Sequence, residues 1–314
     1  MNPDAPAQGT RIGTFTCDRL IGQGGVAWVY AATRDDGKSL ALKVLKPRYA
    51  NDPAFESRFR QESAFAAELR HPNIVRIEDV GVNEGLAWFA MELHPGSLRS
   101  RLEQTPMLEE ADVVQIAVGV AKALAFAHER NVIHRDIKPD NILLADDGRP
   151  VLADFGIARA VSGYVAATGF MMTIGTPAYV SPEQAQGRDL DGRSDLYSLG
   201  ITMYRMVTGD VPFKSPDWFE LARMHVEDPP ESPRIRRPQL SKRLERIILR
   251  LLAKHPDDRY PSATALLEDL EQGKVRRATS DIPIPEGFQA ASGTTDTADA
   301  REDPEDKKRW WKVW

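Results

Sequence analysis

The sequence predicts an α+β chain of two unlike lobes, a small β-rich one over residues 14–93 and a larger, mostly helical one over 97–272. Three observations carry this. Short apolar runs punctuated by tight turns fill the first stretch. Apolar residues at intervals of three and four take over after Pro95-Gly96. The chain is also long enough, at 314 residues, for two lobes and a tail, and its 42% hydrophobic and 28% charged content is that of a globular protein.

Residues 1–13 show no strong pattern and are expected to be flexible. Phe15 to Ile21 reads as a strand, followed by a glycine cluster and a second strand, Val26 to Thr33. The turn Asp35-Asp36-Gly37 leads into Ser39 to Leu45, where Leu40, Leu42 and Val44 alternate with Ala41 and Lys43. Pro53 to Arg70 changes to helical spacing, with Phe55, Phe59, Ala66 and Leu69 on one face. Strands Ile74 to Val80 and Leu86 to Leu93 complete the first lobe. Further on, Glu109 to Arg130 is a long helix with Val113, Ile116, Val120, Leu124 and Ala127 turned inward. Gly192 to Gly209, Asp217 to Val226, Lys242 to Lys254 and Ser262 to Gln272 are also helical. The lobes join near Glu92 to Gly96, which implies a cleft between them. After that the periodicity stops: 273–306 is expected to be a disordered linker, and 307–314 a tail of cations and tryptophans.

A net charge of -5 argues against a general nucleic-acid binder. The single cysteine, Cys17, cannot form an intrachain disulfide, and a reducing cytoplasm is the expected setting. Met1 to Gly9 lacks the basic start and apolar core of a signal peptide. No apolar run of the roughly 18 to 20 residues needed for a membrane span is expected.

The chemistry concentrates in His134-Arg135-Asp136-Ile137-Lys138-Pro139-Asp140-Asn141 and, after a short strand, Asp154-Phe155-Gly156. A carboxylate, an ammonium and an amide fall close together, with a second carboxylate downstream. Phosphoryl transfer from a nucleotide needs such a set: Asp136 to take a hydroxyl proton, Lys138 to balance charge, Asn141 and Asp154 as hard oxygen ligands for Mg2+. The glycines of Gly22-Gln23-Gly24-Gly25 let backbone N–H groups approach phosphate oxygens, although a glycine-rich hairpin is often only a hairpin. Glu62 lies on the apolar stripe between Phe59 and Ala66. A carboxylate there is costly unless a cation meets it, and Lys43 is the candidate.

These motifs resemble the catalytic core of the eukaryotic-type (Hanks-type) protein kinases, over residues 14–272. The resemblance implies the bilobal protein-kinase fold, with ATP and Mg2+ (or Mn2+) as cofactors and proteins as substrates. It implies that Ile21, Gly22, Gly24 and Gly25 line the phosphates, with Ala27 where the family usually has a third glycine. Val29, Ala41 and Leu143 would sandwich adenine. Met91 would be the gatekeeper, and the backbone of Glu92-Leu93-His94 would bond the adenine edge. The Lys43–Glu62 pair would position the α- and β-phosphates. Ile77, Ala66, Phe155 and His134 match the family's internal spine. Lys138 implies serine/threonine specificity, and Thr176 would shape the substrate pocket. Glu183 would pair with Arg259, and Asp195 would act as a structural anchor.

Arg58, Arg135 and Arg159 would converge on an anion, supplied by phosphorylation of Thr168 or Thr173 in the activation segment. Trans-autophosphorylation through transient homodimers is compatible with this. Gly22 to Gly25, Ser181 to Ala185 and Arg193 to Gly200 are most similar to bacterial members. Many of those carry a membrane span and an extracellular sensor. This chain is expected instead to take its input from the cytosol, a partner or a membrane surface. The tail from Lys307 to Trp314 would suit weak docking to lipid headgroups or to a partner groove. Two alternatives are a pseudokinase scaffold, which normally has lost one of the catalytic groups, and a small-molecule kinase of the same fold.

Overall fold

The structure, a computed structural model, describes residues 5–25, 27–47, 66–83, 85–155 and 177–272. The expected linker and tail, the segment 156–176 and most of the helix expected over Pro53 to Arg70 lie outside these. Residues 66–68 are helical, and Ala66 and Leu69 are buried, as their face requires.

The first lobe is a six-stranded antiparallel sheet. Its strands are β1 (Arg11–Ile12), β2 (Phe15–Gln23), β3 (Ala27–Arg34), β4 (Ser39–Leu45), β5 (Ile77–Asn83) and β6 (Leu86–Met91), in the order β1-β2-β3-β4-β6-β5. Strand side chains alternate between faces, and the sheet separates them into two cores. Leu40, Leu42 and Val44 join Phe15, Trp28 and Trp88 on one side. Ala41 and Leu45 join Phe89 and Met91 on the other. Lys43, between Ala41 and Leu45, therefore shares the face that holds Val29 and Leu143.

Boundaries differ from expectation in this lobe. The predicted flexible start packs on the sheet from residue 5. The Tyr30 hydroxyl donates to the Pro6 carbonyl at 2.8 Å, the Gly9 N–H donates to the Cys17 carbonyl at 2.8 Å, and Ile12 is buried. Strand β5 begins three residues later than expected. Residues 73–75 have their backbone groups committed elsewhere: Val75 N–H bonds the Leu152 carbonyl and Leu152 N–H bonds the Asn73 carbonyl.

The second lobe contains α1 (Leu98–Gln104), α2 (Glu110–His128), α3 (Pro182–Ala185), α4 (Gly192–Thr208), α5 (Trp218–Val226), α6 (Pro233–Arg236), α7 (Lys242–Leu251) and α8 (Ala263–Gln272). A small antiparallel sheet, β7 (Gly96–Ser97), β8 (Ile142–Leu144) and β9 (Pro150–Leu152), packs against α1 and links Asn141 to the segment that carries Asp154. Against expectation, α2 is long and apolar enough, at 19 residues, to cross a membrane by composition. That apolarity serves the core: Val113, Ile116, Val120 and Leu124 are all buried in the helical cluster. Gly119 of α2 lets the β8–β9 hairpin come close, since a Cβ there would stand 2.3 Å from Pro150. Helix α4 is buried around nearly its whole circumference, as a central core helix should be. Its N-cap Asp191 accepts from the Arg193 N–H, and it ends at Gly209 in the left-handed region, φ 81°.

Candidate active site

The loop carrying Asp136 is pinned from below by Asp195 in the first turn of α4. One carboxylate oxygen accepts from the Arg135 N–H at 2.7 Å. The other accepts from the His134 N–H at 2.8 Å and faces His128 Nε2 at 2.8 Å. Burial would raise the pKa of Asp195, but the His128 bond and neighbouring charges hold it below the usual range. Gln184 Nε2 donates to the Arg135 carbonyl at 2.9 Å. Held on both sides, Arg135 adopts φ 70° and Asp154 adopts φ 69°. Such left-handed backbone at non-glycine residues is strained and persists only where the surroundings impose it.

His134 links the loop to the strand after it. The Asp136 N–H donates to His134 Nδ1 at 3.2 Å, so the ring proton sits on Nε2, which donates to the Ala153 carbonyl at 2.7 Å. The ring meets Phe155 edge-on, centroids 4.6 Å apart. Ala66 and Phe155 belong to the same buried cluster, and Ile77 packs against it, so the four expected spine residues come together.

Lys43 Nζ reaches Asp154 Oδ2 at 2.6 Å. Burial alone would raise the Asp154 pKa, and the Lys43 ammonium outweighs it, keeping the carboxyl below its ordinary value. Lys138 Nζ lies 2.7 and 3.0 Å from the two Asp136 oxygens. Asn141 donates from its amide nitrogen to the Asp136 carbonyl at 2.8 Å and to Asp136 Oδ2 at 2.9 Å. This orientation turns the Asn141 amide oxygen away from Asp136. Asp154 Oδ1 is buried with no hydrogen-bond partner among the described residues. Two hard oxygens, one an orphan, fit Mg2+, which typically takes one or two protein ligands and completes its shell with phosphate and water.

The residues expected to wall the nucleotide come partly together. Ala41 and Met91 are buried in one cluster, with Val29 and Leu143 packed against it. Gly22 pairs with Val29 across the hairpin, Gly24 N–H bonds the Ala27 carbonyl at 2.9 Å, and Ile21, Gly24 and Gly25 are exposed at the hairpin end. The Glu92 N–H is committed to the Arg76 carbonyl at 3.1 Å, which removes it as a donor to adenine. The Glu92 carbonyl and the His94 N–H have no partner among the described residues, which leaves both free for the expected contacts to adenine. Leu93 is exposed.

Glu62, Arg58, Arg159, Thr168, Thr173 and Thr176 lie outside the described residues. The Glu183–Arg259 pair is present and bidentate, at 2.7 and 2.9 Å. The Arg99–Asp140 ion pair at the edge of the catalytic loop, 2.7 Å, escaped the reading of the sequence. Its one visible hint was a second acidic residue, Asp140, between Asp136 and Asn141.

Comparison with known proteins agrees with this geometry. The protein kinase domain family matches residues 15–270. A probable serine/threonine-protein kinase of Streptomyces coelicolor, SCO3848, is 38% identical over 296 residues, covering 90% of this chain and 43% of that protein. Serine/threonine-protein kinase PknB of Mycobacterium leprae is 38% identical over 258 residues, covering 80% of this chain and 41% of its own length. The chain thus spans less than half the length of these curated relatives. The crystal structure of the Mycobacterium tuberculosis PknI kinase domain superposes with a TM-score of 0.67 at 32% identity, covering 85% of this chain and 98% of that one. Sequence, spine and catalytic loop lead to one conclusion: the chain belongs to the protein kinase family, on its bacterial serine/threonine branch.

Proposed function

We propose that this chain is a serine/threonine protein kinase that transfers the γ-phosphoryl group of ATP to hydroxyl groups of proteins. One observation carries the reading: Lys43 and Asp154, 111 residues apart in sequence, meet at 2.6 Å, and Asp154 keeps a second, unpartnered oxygen. Asn141, the other oxygen donor, is tied to Asp136.

Asp136 is the base. The substrate oxygen bonds to the γ-phosphorus as the bond from that phosphorus to the bridging oxygen breaks. ADP leaves with that electron pair, and the hydroxyl proton passes to the Asp136 carboxylate. Asn141 fixes the carboxylate's orientation through its amide N–H. Lys138 neutralises Asp136 in the free site and is near enough to shift its ammonium to the migrating phosphoryl. Bound Mg2+, or Mn2+, would offset phosphate charge, held by Asn141 and Asp154. The proposal includes a reducing, cytoplasmic setting, supported by a lone cysteine, Cys17, that is buried. It also includes trans-autophosphorylation of Thr168 and Thr173 through transient homodimers, with Arg58, Arg135 and Arg159 receiving the phosphate.

Purified protein incubated with labelled ATP, beside an Asp136→Asn control, tests this. The parent should label itself on threonine, Thr168 and Thr173 included, at a rate that rises with protein concentration. The control should fall by about 100- to 10,000-fold, the usual share of a positioned base. Equal labelling of the two proteins would overturn the reading, and label confined to tyrosine would overturn its specificity.

A further inference from the structure

We propose that the rim formed by Arg205, Tyr179 and the Arg99–Asp140 pair selects protein substrates with acidic side chains close to the acceptor hydroxyl. The proposal rests on the kinase reading above and names its substrate class. Asp140 lies in the 3-10 turn Pro139–Asn141, in the same loop as Asp136. An unpaired carboxylate there would favour basic substrates. Arg99 on α1 cancels it, donating to Asp140 Oδ1 at 2.7 Å while its Nε donates to Glu103 Oε1 at 3.0 Å.

Arg205, in the last turn of α4, is in the opposite condition. It donates to the Pro106 carbonyl at 3.2 Å, and no carboxylate pairs with it among the described residues. Residues seven apart share a helix face, so Arg205 projects from the side of α4 that carries Ser198. The Ser198 hydroxyl donates to the Tyr179 carbonyl at 2.8 Å. That places Arg205 on the side of α4 facing the turn Pro177–Tyr179, about two helical turns further along; the turn directly follows Thr176 in sequence. The Tyr179 hydroxyl feels both guanidinium groups, Arg205 and Arg99, together with the carboxylates of Asp140 and Asp210. Asp210 is itself paired with Lys214 and Arg236. Among the described residues around this turn both nearby carboxylates are matched, and Arg205 is the cation left to attract an anion.

Two peptides with one central threonine, flanked by Asp/Glu in one and Lys/Arg in the other, test the proposal. The reading is the ratio of their kcat/KM values on the same protein sample, which a general loss of activity does not move. A single exposed charge contact shifts such a ratio only a few-fold, and several along one peptide bring it to about tenfold. The parent should prefer the acidic peptide by about that much, most of it in KM. Arg205→Glu should cancel or invert the preference. Arg99→Ala, which frees the Asp140 carboxylate, should lower it independently, and Arg205→Lys should retain its sign. A parent that prefers the basic peptide or neither, or a ratio unmoved in both Arg205→Glu and Arg99→Ala, would overturn the proposal. Fluorescence anisotropy of the same peptides reads the preference without turnover. Preferential binding of the acidic peptide with no phosphorylation would sink the kinase reading and leave the acidic-substrate surface supported.

Discussion

Asp154 sits under two opposing demands. Its carboxyl is buried, which favours the neutral acid, while the proposed cation-holding role needs it ionised, a state that Lys43 secures from 2.6 Å. The pair is largely desolvated, with side-chain exposures of 14% and 19%. Breaking such a pair from one side leaves an uncompensated buried charge, at a cost of about 3 kcal/mol. Lys43→Met should therefore destabilise the nucleotide-free protein by about that amount. Lys43→Met combined with Asp154→Asn should lose clearly less than the sum of the single changes, because the stranded carboxylate is gone. Urea unfolding of the four proteins gives the coupling directly, and strictly additive losses would mean that the two groups do not stabilise each other. Both residues were legible as site residues in the sequence. Their meeting was not, because it depends on how β4 and the segment after β9 face each other across the cleft. The left-handed backbone of Arg135 and Asp154 was equally invisible, since no glycine marks it and Asp195, distant in sequence, helps impose it.

The single-turn helix α3 shows how one side chain can organise several elements. Helix α3 is closed at its start by a capping box, Ser181 with Gln184. It is tied down by Arg259, whose side chain is fully buried. A guanidinium has five N–H donors, and all five are used: Nε on the Ala253 carbonyl, one Nη on Glu183 and the Arg193 carbonyl, the other on Glu183 and the Lys254 carbonyl. The Ser194 hydroxyl adds a bond to Glu183 at 2.6 Å. Burial pushes against ionisation of Glu183, and the Arg259 bonds keep it below the ordinary carboxyl range. Arg259→Lys keeps the charge but offers three donors without the planar fork. It should destabilise the fold by about 2–4 kcal/mol, seen as a lower urea midpoint at unchanged slope. A shift below about 0.5 kcal/mol would show that charge alone suffices. The partner of Glu183 was readable from the family pattern. The three carbonyl acceptors were not, because backbone groups leave no trace in residue identity. The same blindness explains the late start of β5 and the committed Glu92 N–H: both are settled by carbonyls of distant or irregular segments. Alternation in β4, by contrast, was fully legible, since a period of two leaves only one way to divide its side chains.

For the molecule as a whole, buried titratable groups make stability a function of acidity. His225 of α5 is fully buried, with its ring 5.1 Å from Phe213 and its Nδ1 3.1 Å from the Tyr197 hydroxyl. Lys254 donates to the Met224 and His225 carbonyls at 2.9 and 2.7 Å, at the end of α5. Burial, with the Lys254 charge behind it, pushes the His225 pKa down from 6.5 to about 3. The folded protein keeps this ring neutral between those values while the unfolded chain protonates it. The unfolded state therefore binds the extra proton there, and stability falls as the pH drops from 6.5 towards 3. At about 1.4 kcal/mol per pH unit, the loss reaches about 3–5 kcal/mol across the window. That is a large share of the roughly 5–15 kcal/mol holding a typical domain together. Asp154, Asp195 and Glu183, all held below their ordinary values, act with the same sign at the acid end of this range. Lys254, lowered by burial to about 7, does so on the alkaline side: the unfolded chain carries its proton up to 10.5 and the fold does not, so stability rises through that interval. Thermal melts from pH 4 to 7 should show a steady decline towards acid. His225→Gln, which keeps an acceptor for the Tyr197 hydroxyl but cannot titrate, should flatten the profile between pH 4.5 and 6.5 even if its melting point at pH 7 is lower. Parallel profiles for the two proteins would show that the acid sensitivity comes from the carboxylates and not from the buried ring.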